Sequence, residues 1–137
     1  KELKVATWNV RTMATQGTNG DVSFLRIQET RRDRRISFEA PTAGYTVYCS
    51  GHCTGDGGRS GFLGVGLAVS YAIAREVVDP IESEHTSARL MKVRVTFKLR
   101  AVTTFIVGHA PTENASVEDK DSFWSTLHST TALVPRK

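Results

Sequence analysis

The chain has 137 residues, 39% of them hydrophobic and 23% charged, with a formal net charge of +4. That composition is one ordinary globular domain, large enough to bury a core, and it lacks the run of about 18 apolar residues that a membrane helix needs. The positive balance leans toward an anionic partner such as nucleic acid without specifying one. The chain opens at Lys1 with no signal-peptide pattern and no methionine, so a processed or trimmed product is expected.

The first predicted strand is Leu3 to Val10 (LKVATWNV), rich in β-branched and aromatic residues. Val10 to Gly20 is full of Thr, Gly and Asn and reads as loop. A second strand, Asp21 to Gln28 (DVSFLRIQ), runs into the charged stretch Arg31, Arg32, Asp33, Arg34, Arg35. Such a stretch is either a solvated loop or a set of phosphate contacts. Tyr45 to Ser50 is a third, short strand, and the five glycines between Gly51 and Gly61 mark a connection. Cys49 and Cys53 bracket His52, which is either half of a zinc site or a pair of thiols beside a turn; no second pair with ligand spacing exists.

Gly64 to Ser70 (GVGLAVS) is small and apolar, as a strand packed on both faces would be, and Tyr71 to Arg75 suits one helical turn. Ala88 to Lys98 gives the clearest strand pattern. Met91, Val93, Val95 and Phe97 alternate with Lys92, Arg94, Thr96 and Lys98, which predicts one buried and one wet face. Ala101 to Val107 follows closely enough to make a hairpin with it and is more uniformly apolar, so it is expected to be the more central strand. A helix is predicted from Ser116, which can cap the N–H of Asp119, with Val117, Phe123, Trp124 and Leu127 on or near one face. The picture is a single α/β (α+β) domain over 1–137, mainly one mixed sheet plus a helix.

Three patterns place a polar residue directly after an apolar strand, where a sheet presents side chains to a shared cleft. They are Thr7-Trp8-Asn9-Val10-Arg11-Thr12, Ile27-Gln28-Glu29-Thr30-Arg31 and His109-Ala110-Pro111-Thr112. Glu29 is a hard oxygen donor suited to Mg2+, which takes one or two carboxylates plus water and phosphate oxygens; its plainer role is a solvated strand-end charge. Asn9 can orient that carboxylate or meet the same phosphate, or it is simply a turn residue. His109 can donate to a phosphate oxygen or serve as a structural hydrogen-bonder.

In order and spacing these motifs resemble the endonuclease/exonuclease/phosphatase superfamily, closest in look to non-LTR retrotransposon endonucleases and craniofacial-development-type proteins. The Tyr45–Ser50 strand with Gly51, the GVGLAVS segment, Ala88-Arg89-Leu90 and Leu133-Val134-Pro135 extend the likeness through nearly the whole chain. The resemblance implies a four-layer α/β/β/α sandwich and hydrolysis of a phosphodiester, with DNA as substrate and Mg2+ or Mn2+ as cofactor. It assigns Asn9, Glu29 and His109 to catalysis, Glu29 with Asn9 to the metal, and Arg11, Arg31 and Arg89 to phosphate or nucleic acid.

Three departures matter. His109 stands where the nucleases have tyrosine and where phosphatase and deadenylase branches have histidine, so a phosphatase or exonuclease of the same superfamily is the alternative enzyme. A short polar loop, Met13 to Gly20, stands where a full helix is usual, which should leave apolar sheet surface exposed. Neither Gly-Asp-x-Asn nor Ser-Asp-His occurs in the 137 residues, so an incomplete or degenerate copy is expected, inactive alone and lacking a partner sheet for Met91 and Val93. A non-catalytic nucleic-acid-binding remnant is the third reading.

Overall fold

The computed structural model describes residues 3–9, 22–28, 30, 36–50, 64–78, 82–87, 89–98 and 101–135, and among these it has eight strands and two helices. The strands are β1 (Val5–Asn9), β2 (Phe24–Gln28), β3 (Ile36–Ala40), β4 (Tyr45–Cys49), β5 (Val65–Ser70), β6 (Glu82–Ser87), β7 (Leu90–Thr96) and β8 (Val102–Gly108). One helical turn, α1 (Tyr71–Ala74), follows β5, and α2 (Val117–Ala132) closes the described chain. No helix among the described residues is long and apolar enough to cross a membrane.

The strands form two sheets, ordered β1-β2-β5-β4-β3 and β6-β7-β8, where mainly one sheet was expected. The first is mixed, with β1 parallel to β2 and every other neighbour antiparallel. The second is antiparallel throughout, and its inner face packs on the first, so Met91 and Val93 do not lack the partner sheet expected to be missing. Met91, Val93 and Val95 are 0–1% exposed in one cluster with Phe24, Val65, Leu67 and Val69 of the first sheet. Burial of this kind contributes roughly 25 cal/mol per Å2 of apolar surface. The Phe24 ring sits at its centre, 4.4 Å from the Phe105 ring and 6.5 Å, edge-on, from that of Phe97.

Exposed apolar surface was expected on this sheet, and β1 leaves Val5 exposed, but the outer side chains of β2, β4 and β5 are buried. Leu25, Ile27, Tyr45, Val47, Cys49 and Ala68 are all buried, with Ala6, Val22, Phe38, Ala40 and Ala43 packed against them. β5 is therefore enclosed on both faces, as its small apolar composition predicts. The β3–β4 hairpin turns through residues 41–44. Gly44 takes φ +73 there, a left-handed conformation that suits glycine, while its N–H donates to the Ala40 carbonyl at 2.9 Å.

Two strands escaped the sequence reading. β3 (ISFEA) has a period-2 pattern, but too short to separate from the charged stretch before it. β6 (ESEHTS) has no apolar residue and exists only through its ladder with β7. The Ala101 to Val107 segment was expected to be the more central, but among the described strands β7 lies between β6 and β8, which leaves β8 at the edge. Of its residues only Val107 is buried, with Phe105 packed beside it on the inner cluster.

Ser116 caps α2 as expected, its hydroxyl accepting from the Asp119 N–H at 3.1 Å. The predicted face is buried in part, through Phe123 and the half-buried Leu127. Phe123 and Thr130 are the buried residues, while Val117 and Trp124 are exposed. Phe123 lies over Gly108 and Leu90, so α2 rests on the outer face of the smaller sheet. The described order of layers is helix, three-stranded sheet, five-stranded sheet.

Candidate functional site at one end of the two sheets

The parallel register of β1 and β2 sets Asn9 opposite Gln28, so the first two motifs end side by side. The third motif comes to the same end. The side-chain amide of Gln28 donates to the Gly108 carbonyl at 3.2 Å, and the guanidinium of Arg26 donates to the same oxygen. Gly108 is the last residue of β8, and His109 follows it.

A local rule explains why that oxygen needs donors from another sheet. His109 N–H donates to the Arg89 carbonyl at 2.9 Å, which makes 89/109 a bonded pair of the antiparallel ladder. The next pair, Leu90 and Gly108, is then a non-bonded one, so the Gly108 carbonyl points away from β7. Among the described residues β8 has no further strand to offer it a ladder partner, and a buried carbonyl left unpaired is costly. Arg26 and Gln28, which share the inner face of β2 with Phe24, satisfy it.

Arg89 holds the other side of the same turn. Its Nη1 donates to the His109 carbonyl at 3.3 Å, reciprocating the backbone bond between the two residues, and its own N–H is bonded to the Ser87 hydroxyl at 3.2 Å. Both guanidinium groups are thus bonded to carbonyl oxygens, and among the described residues neither is paired with a carboxylate. Among the described residues no carboxylate faces these two positive charges beside His109. After His109 the chain passes through Pro111 and a turn closed by the Ala115 N–H on the Thr112 carbonyl at 3.0 Å before α2 begins.

Across the larger sheet the same end is finished by Ser50, which is fully buried. Its hydroxyl donates to the Val65 carbonyl and accepts from the Val65 N–H, both at 3.1 Å. Thr30 is also buried, its N–H donating to the Gly64 carbonyl at 3.2 Å and its methyl lying over Gly66. Two phenols sit above their ordinary pKa, Tyr48 through burial and Tyr71 through burial and then the neighbouring Glu39 carboxylate; both stay neutral near pH 7.

Of the residues singled out from sequence, Asn9, Arg89 and His109 belong to this end, Asn9 by its backbone position. Glu29, Arg11 and Arg31 lie outside the described residues, as do His52, Cys53 and the rest of the basic stretch. Glu29 is flanked by Gln28 and Thr30, both of which belong to this end. Cys49 is buried at the end of β4. Among the described residues no three His, Cys, Asp or Glu side chains converge as metal ligands. Arg26 and Ser50 were missed. Comparison with family models, with characterised proteins and with solved structures finds no match.

Proposed function

We propose that this end of the two sheets is the metal- and phosphate-binding part of a divalent-metal-dependent phosphodiester hydrolase, a DNA endonuclease of the endonuclease/exonuclease/phosphatase type and of retroelement character. The observation that carries the reading is the meeting of three strand ends: Asn9 in register with Gln28, and Gln28 bonded to the residue that precedes His109. Two arginines bonded, among the described residues, to carbonyls rather than carboxylates support it, since they leave positive charge for an anionic substrate. The layer order of helix and two facing sheets suits a four-layer sandwich of that type.

In this reading Glu29, with Asn9, holds Mg2+ or Mn2+, whose chemistry would be to neutralise charge on the phosphoryl oxygens. His109 and Arg89 hold non-bridging oxygens as charge develops on them. Arg11 and Arg31 follow the first two strand ends and contact the nucleic-acid backbone. Groups that would activate the attacking water are missing from these 137 residues, which contain no Gly-Asp-x-Asn or Ser-Asp-His. Each acid–base group of that kind is worth about 100- to 10,000-fold in rate.

Supercoiled-plasmid nicking by the chain with Mg2+ is therefore expected to stay near background. Duplex DNA binding is expected to tighten when Mg2+ is added, to lose that increment in Glu29→Ala, and to weaken as salt rises. Binding that ignores both Mg2+ and Glu29→Ala would instead identify a non-catalytic nucleic-acid-binding module. His109 favours a second reading, a phosphatase or exonuclease of the same type. Release of phosphate from small phosphoesters in preference to action on DNA would select it.

A further inference from the structure

Arg26 stands in the middle of an apolar strand, between Leu25 and Ile27, yet its side chain turns into the layer between the sheets. There its guanidinium donates to the Gly108 carbonyl beside the Gln28 amide, with its Nε buried. A long cationic side chain placed there costs desolvation, which a well-directed charged hydrogen bond offsets. The oxygen it reaches belongs to the residue whose next peptide carries His109. On the far side of that peptide Arg89 and His109 are already bonded both ways.

We propose that Arg26 is a positioning residue, which with Gln28 locks the end of β8 onto the end of β2 and so sets where His109 stands. Only the functional consequence rests on the phosphodiesterase reading; the lock itself is a property of the fold. Two donors on one carbonyl, from a strand of the opposite sheet, remove the freedom of an edge-strand terminus to peel away from its neighbour. Arg89 fixes the turn within the smaller sheet, whereas Arg26 and Gln28 fix it relative to the larger one. Both restraints are needed to hold His109 at a constant distance from the residues after β2.

The test compares Arg26→Met, which keeps the length and removes the donors, with Arg26→Lys, Gln28→Leu and the exposed control Arg94→Met. Amide hydrogen exchange is read at His109 and at Val93, in the middle of β7, together with the imidazole resonances of His109 and of exposed His128. Arg26→Met is expected to speed exchange at His109 by tenfold or more beyond any change at Val93, and to move the His109 imidazole signal while leaving that of His128 in place. Arg26→Lys should recover much of both effects, Gln28→Leu should give a smaller change of the same kind, and Arg94→Met should give none.

Equal acceleration at His109 and Val93 with an unmoved His109 signal would show a merely structural role and overturn the proposal. Should Arg26→Met fail to fold, Gln28→Leu and Arg26→Lys carry the same comparison. The phosphodiesterase reading is judged separately, by whether inorganic phosphate shifts the His109 signal of the unaltered chain. Absence of that shift would sink the reading and leave the lock to stand or fall on exchange alone.

Discussion

Phe24→Ala is expected to destabilise the protein by about 3–5 kcal/mol, the usual cost of removing a buried aromatic ring from a close-packed core. Phe24 is fully buried, and its ring touches Phe97 and Phe105 across the gap between the sheets. Its loss therefore opens a cavity where the two sheets meet rather than at the margin of either. Domains of this size are stable by about 5–15 kcal/mol in total, so the variant would retain a fraction of its stability. Urea unfolding should show a lower midpoint with an unchanged slope. A loss below about 1 kcal/mol would mean the sheets are not held together through this ring.

The second large effect is expected at Gly66, where a Cβ would stand 2.9 Å from the backbone carbonyl of Tyr48. The obstacle is main chain in the adjoining strand, so relief requires β4 and β5 to move apart. Thr30 and the Cys49 sulfur close the remaining directions at 3.3 and 3.4 Å. Gly66→Ala should cost about 1–3 kcal/mol, as overpacking of a tight core does. Because Gly66 pairs with Ile27 on one side and Cys49 on the other, the disturbance should reach the end of β2. Circular dichroism melts of this variant should fall clearly below the unaltered chain; an unchanged melt would contradict the close approach of β4.

How much of this was legible depended on whether a segment's burial shows in its own composition. β7 announces itself because one face is wet, and the alternation of Met91, Val93 and Val95 with polar neighbours marks it. β5 does so because every residue is small or apolar. β6 is held by its partner's ladder and has no apolar pattern to read. In β2 the run Phe24-Leu25-Arg26-Ile27-Gln28 alternates apolar and polar residues, so its composition alone does not reveal the second sheet above Arg26 and Gln28, which only the family resemblance implied.

The strand-end motifs were more informative than the faces. A polar residue straight after an apolar run is visible without any knowledge of packing, and the ends of β1, β2 and β8 do come to one place. The bonds that bring them there were hidden, because the donors to Gly108 come from 80 and 82 residues away in the chain. α2 shows the same division. Its cap was readable from Ser116 and Asp119, whereas burying Thr130 and exposing Trp124 reflects how the helix is rotated on the sheet.

The central claim is that a divalent cation binds where those three strands end, through Glu29. Paramagnetic broadening of backbone amide signals by substoichiometric Mn2+ addresses it most directly, in the unaltered chain and in Glu29→Gln. The account predicts selective broadening at Gln28, Thr30, Gly108 and His109, none at Gly44 in the β3–β4 turn at the opposite end of the sheet, and loss of the pattern in the variant. Broadening centred elsewhere, or a pattern that survives Glu29→Gln, would contradict it.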